Sequence, residues 1–162
     1  MPNTTTVEQA KAEFLRAKEA ITQALATTPD DRINWSSAPT ARTPIECVAH
    51  AAFVVKGLHG VLNGQPLAAS DPVEADRGLR EWEKQFHTRD AVLSLLEQNS
   101  ADYVAWLDAL TPERLASMVE MPFNSGPAPM IVGLTLIPGH MNWHTAQVNY
   151  IQTIYGDRDW HW

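Results

Sequence analysis

The sequence predicts an all-α fold, a four-helix bundle with a long connection between its second and third helices. Three observations lead there. Four segments carry apolar residues at helical spacing, no segment alternates with period two, and the Pro- and Gly-containing breaks fall between those segments. A chain of 162 residues suits one domain, taken as residues 1–162, and can bury enough surface to need no disulfide staple.

The first helix is expected from about Thr6 to Thr28. Val7, Phe14, Ile21 and Leu25 form one stripe, Ala10, Ala17 and Ala24 flank it, and Pro29-Asp30-Asp31 ends it. The second has the clearest start: Thr43 can cap, Pro44 fits the first helical position, and Glu46 completes a capping box. It should reach Leu62, before Asn63-Gly64-Gln65-Pro66. From Gln65 to Phe86 the chain reads as a long connection with one short helix near Val73 to Lys84. The third main helix should open at Thr88 or Asp90 and run to Leu110, with Val92, Leu95, Leu96, Tyr103, Trp106 and Leu107 inward. Thr111-Pro112-Glu113 begins a short helical turn, and Met121 to Pro129 reads as loop, so no strand is expected. The last helix runs from Met130 to Tyr155 with Gly156 as its C-terminal cap, and Pro138 inside it should kink it.

Composition narrows the function. The formal charge of −7 argues against nucleic acid as a partner, because that affinity rests on clustered cations. A single cysteine, Cys47, excludes a disulfide framework and a cysteine-based zinc finger. The longest mainly apolar stretch, Met130 to Pro138, is short for a membrane span, and the polar start does not read as a targeting segment. The expected location is the cytoplasm.

Histidines carry the chemistry. His140 and His144, four residues apart on the last helix, project from one face that also holds Leu136, Gln147 and Ile151. Two imidazoles in a stripe that should face the bundle interior need partners, and a divalent metal can partner both. They could equally donate to carbonyls or lie half exposed. Met141 occupies the position where an HExxH zinc peptidase has glutamate, which argues against that class. The absence of any Glu-x-x-His likewise sets aside a di-iron bundle. His50 lies one turn past Glu46 in an Ala- and Val-rich helix and could meet the pair across the core. Three histidines with one open position is the arrangement of a catalytic metal site.

With these residues in place the sequence resembles the DinB-like (YfiT-like) family of metal-dependent enzymes. The likeness covers nearly the whole chain and rests on Asn34-Trp35, the PIECVAH segment ending at His50, and GHMNWH with His140 and His144. It implies a four-helix bundle, often a homodimer, holding a divalent metal through one histidine of the second helix and two of the last. His50, His140 and His144 match those three positions. Zinc or nickel are the first candidates for the ion, then iron or manganese. The resemblance also implies a small-molecule substrate, with thiol-dependent transfer or isomerisation using a low-molecular-weight thiol among its chemistries. Metal-dependent hydrolysis uses the same ligands, and a non-catalytic metal- or small-molecule-binding dimer is the alternative from another class.

The remaining candidates have plain structural readings beside functional ones. Glu46 could orient His50, but capping already explains it. Gln147 could hydrogen-bond a substrate or water, or sit at a bundle seam. Cys47 could be reactive beside a metal, or a small buried hydrophobe. Asp102 is the carboxylate to consider as a base. His59, His87 and His161 lack a matched partner and read as surface or terminal residues. Tyr103, Trp106, Trp143 and Tyr150 read as core or dimer packing.

Overall fold

The computed structural model describes residues 3–159 and residue 161. Its elements are α1 (Asn3–Thr27), α2 (Pro44–Leu62), α3 (Pro72–Glu83), α4 (Arg89–Asp108), α5 (Pro112–Leu115), β1 (Met118–Glu120), β2 (Pro127–Pro129) and α6 (Met130–Ile154). Two departures from the sequence reading stand out. The segment expected to be loop supplies β2, which pairs antiparallel with β1 from Met118–Pro129 to Glu120–Pro127. The turn between them holds Phe123 and Asn124 at positive φ, with the Ser125 amide donating to the Pro122 carbonyl. Three-residue strands are too short for a period-two pattern to register. The second departure is α2, which is long and apolar enough by length and composition to cross a membrane, although its apolar residues are largely buried in the bundle.

Local chemistry explains where the helices begin. Thr43 accepts from the Glu46 amide while the Glu46 carboxylate accepts from the Thr43 amide, so both halves of the capping box form and Pro44 follows at the first helical position. Asp71 caps α3 by accepting from the amides of Val73 and Glu74, and Thr88 caps α4 by accepting from that of Ala91. At the far end of α1, the Arg89 guanidinium donates to the carbonyls of Leu25 and Thr28, placing a cation where the helix dipole is negative. α6 continues through Pro138 as one element and stops at Tyr155, where Gly156 takes φ +101°.

The four long helices form a closed ring in the order α1, α6, α2, α4. Side-chain pairs fix their directions. Lys11 reaches Asp108 and Lys18 reaches Glu97, so α1 and α4 are antiparallel. Asn99 donates to the Ala52 carbonyl and His59 packs on Tyr103 and Trp106, so α2 and α4 are parallel. Leu62 meets Gly133 and His50 meets His144, so α2 and α6 are antiparallel. Parallel neighbours cannot be joined by a tight turn, which is why the chain spends residues 63–88 crossing from α2 to α4 and lays α3 along the way. Phe14, Ile21, Leu25, Ile45, Val48, Leu96, Tyr103, Leu107, Leu134 and Ile137 fill the centre. α2 and α6 approach so closely that a Cβ on Gly133 would lie 2.5 Å from Cδ2 of Leu62. That close approach brings the histidines of the two helices together.

Candidate metal centre

α2 and α6 contribute one cluster of ligating side chains. His50 comes from the middle of α2, and His140 and His144 from successive turns of α6. One ring nitrogen from each lies within 4.8 Å of those of the other two. The ring centroids are 5.1 Å apart for His50 and His140, 4.6 Å for His50 and His144, and 4.6 Å for His140 and His144. His50 and His144 are buried and His140 is half-buried, so the group sits below the surface with one ring reaching toward solvent.

Hydrogen bonds determine which nitrogens face inward. Nδ1 of His50 lies 2.5 Å from Oε1 of Glu83, the last residue of α3. That carboxylate is fully buried. Burial alone would raise its pKa, but hydrogen bonds from His50 and Arg42 bring it below the ordinary glutamate value, so it is an acceptor. His50 therefore carries its proton on Nδ1 and, when neutral, offers the lone pair of Nε2. Nδ1 of His144 lies 2.7 Å from Oε1 of Gln147, which also accepts a 3.8 Å contact from the Cys47 thiol. The same logic makes Nε2 of His144 the free nitrogen. It faces Nε2 of His140 at 3.4 Å.

These residues fit a divalent cation. Burial and the nearby His50 push the pKa of His140 down to about 4 and that of His144 to about 3, so both rings are neutral, the ligating form, at neutral pH. Two nitrogens on a tetrahedral zinc with arms of 2.0–2.1 Å would stand roughly 3.3 Å apart, close to the spacing of the His140 and His144 nitrogens. Each of the two buried histidines has its outer nitrogen held by an acceptor, the arrangement usual for metal-binding histidines.

The other residues singled out from the sequence fall clearly in or out. Gln147 orients His144. Glu46 is occupied by its capping box, and the carboxylate that orients His50 is Glu83, which the sequence reading missed. Its signal was faint: Leu79 and Trp82 mark an inward stripe on the short helix, and Glu83 lies beside them. Cys47 is a buried thiol whose pKa burial raises to about 12, so it packs as a small hydrophobe. Asp102 is exposed on α4, and the histidine it faces is His59. His59 is not a surface residue: it is half-buried against Tyr103 and Trp106, and burial lowers its pKa. His87 is exposed, and His161 pairs with Asp157 at 2.9 Å. Tyr103 is wholly in the core and Trp106 partly so, but Trp143 and Tyr150 are 71% and 68% exposed on α6.

Comparisons with known proteins agree with this architecture. The structure is similar to YfiT from Bacillus subtilis, described as a probable metal-dependent hydrolase with an unusual four-helix bundle topology. The TM-score is 0.72 at 15% identity, over 93% of this chain and 87% of that one. A DinB-like protein from the same organism aligns with TM-score 0.63 at 16% identity, over 93% and 94% of the two chains. The mycothiol-dependent maleylpyruvate isomerase aligns over 88% of this chain but 60% of its own length, with TM-score 0.69 at 14% identity. At these identities the likeness speaks to the fold. No curated protein sequence matches the chain significantly. The family model of the DinB superfamily matches residues 13–148, a span that contains all three clustered histidines, and the chain belongs to that superfamily.

Proposed function

We propose that this protein is a divalent-metal-dependent enzyme in which His50, His140 and His144 hold the ion and a thiol or water is activated for attack on a small electrophilic molecule. One observation carries the reading: three imidazoles from two helices converge, and the outer nitrogens of His50 and His144 are both tied to acceptors. A bound divalent cation would supply Lewis acidity there, lowering the pKa of whatever protic group it met.

The protein's own residues supply the rest. Glu83 and Gln147 fix the rotation and tautomer of His50 and His144. Oε1 of Glu83 meets both His50 and Arg42, and Oε2 meets Arg42, so this carboxylate orients and does not serve as a free base. Of the two nucleophiles, a low-molecular-weight thiol is favoured by the fold shared with a mycothiol-dependent enzyme. Hydrolysis by the same three ligands is the alternative activity.

A second copy of the chain is the proposed protein partner. α6 contains no Asp, Glu, Lys or Arg, and Trp143, Tyr150, Ile154 and Val132 are exposed along it. In a chain of charge −7, an uncharged apolar face lets two copies meet without like-charge repulsion.

The test is elemental analysis of untagged protein beside His50→Ala and His144→Ala. Roughly one ion per chain, lost in both variants, is expected of a three-histidine site. Thiols and electrophiles are then screened as pairs against hydrolysis of the electrophile alone. Parent protein that takes up no zinc, nickel, iron or manganese would overturn the reading.

A further inference from the structure

α3 is attached to the bundle in an unusual way. Glu83 is the one buried residue of this twelve-residue helix, and its carboxylate is spent on a proposed metal ligand. The other attachments are mainly polar. Arg42, just before α2, donates through Nε to Glu83 at 2.6 Å and through Nη2 to Asp76 at 2.7 Å. Arg80, steadied within α3 by Asp76, donates to the Thr40 carbonyl at 3.0 Å. The main apolar contact is Trp82, whose ring lies 5.0 Å from that of Phe53 and 4.9 Å from that of Phe86. Ala75, Asp76, Leu79 and Arg80 complete the inward stripe and are only half-buried.

We propose that Glu83 is the positioning residue of the metal centre and that, because it also anchors α3, metal loading and docking of α3 are one coupled event. The inference rests on the metal reading above. With α3 docked, the carboxylate keeps the His50 proton on Nδ1 and turns Nε2 inward. With α3 released, the imidazole loses that restraint and Arg42 loses a buried partner. A cation on Nε2 makes Nδ1–H a stronger donor, which strengthens the bond to Glu83 and holds α3 down. Thermodynamic linkage makes the effect reciprocal: metal favours docked over released α3 by the same factor by which docking favours metal binding, so a change that releases α3 weakens metal binding by up to that factor.

The full-length protein is titrated with zinc against a competing chelator, and amide exchange is followed across residues 64–87 with and without zinc. Cobalt(II) spectra report on the ligand field. In the parent, zinc should slow exchange in α3 roughly tenfold or more, and Glu83→Gln should lower zinc affinity about 10- to 100-fold, shift the cobalt bands and abolish the effect of zinc on α3. Trp82→Ala tests reciprocity from outside the ligand set, and it should weaken zinc binding several-fold while leaving the cobalt bands of the loaded protein in place. Unchanged zinc affinity in a Trp82→Ala protein whose metal-free α3 exchanges at the unprotected rate, or α3 exchange in the parent that zinc does not alter, overturns the coupling even if Glu83→Gln fails to fold. Failure of the parent to bind zinc or cobalt at all is a separate result that removes the metal reading with it.

Discussion

Nδ1 of His50 and Oε1 of Glu83 lie 2.5 Å apart although 33 residues separate them in the chain. The crossover from α2 to α4 therefore does more than connect two parallel helices. It returns a buried acceptor to the outer edge of a histidine whose inner edge faces two more histidines.

Removal of either α6 histidine should abolish stable metal binding. In His140→Ala or His144→Ala, two imidazoles remain where the proposed site uses three. Equilibrium dialysis with zinc should show affinity reduced by a hundredfold or more, with the helical circular dichroism retained.

Acid should destabilise the metal-free protein well above the pH at which carboxylates usually matter. His140 and His144 have folded pKa values of about 4 and about 3 against 6.5 for the free side chain. Between those limits the unfolded chain binds protons that the folded chain does not, so stability is lost as pH falls from about 6.5 toward 4. Glu83, whose pKa is lowered by His50 and Arg42 against the opposing effect of burial, adds a loss of the same sign at lower pH. Melting temperatures from pH 7.5 to 4.5 should fall steadily, and the fall in this range should shrink in a His140→Gln/His144→Gln double variant.

Gly133 should tolerate no side chain while Leu62 stays as it is. Gly133→Ala places a methyl group 2.5 Å from Cδ2 of Leu62, which the terminal methyl must relieve by moving inside a packed core at about 1–3 kcal/mol, less about 1 kcal/mol of helix propensity gained over glycine. Combining it with Leu62→Ala, itself worth about 2–5 kcal/mol through the cavity it leaves, should cost less than the sum. Denaturant unfolding of the three variants closes that cycle.

Cys47 should be chemically quiet. With the thiol buried and its pKa raised to about 12, alkylation of native protein at pH 7 should be slower than that of the unfolded chain by several orders of magnitude. Cys47→Ala should keep its metal content, because the Gln147 oxygen still accepts from His144.

The exposed face of α6 gives the proposed dimer its test. Trp143→Glu places a charge at the centre of an uncharged stripe and should convert a dimer to monomer in light scattering. The same variant should remain folded, since the ring it replaces is 71% exposed.

The sequence by itself determined the main helices, the shared face of the two α6 histidines and one of the two groups that turn the site inward. Apolar spacing on α1 and α4, the Thr43-Pro44-Glu46 cap and the terminating Gly156 are all local, and local physics set them. His140 and His144 share a face because of helical pitch alone, and Gln147 falls within reach of His144 for the same reason. Tertiary structure decided whatever depends on distant pairs. The small strands at Met118–Glu120 and Pro127–Pro129 form only because each finds the other. His59 became half-buried because α4 lies beside α2, and Trp143 stayed outside because none of the described residues covers α6 there. The role of Glu83 was decided last of all. A glutamate on an amphipathic helix ordinarily faces water, and only the parallel packing of α2 and α4 brings the end of α3 against His50, where Arg42 makes a buried carboxylate stable.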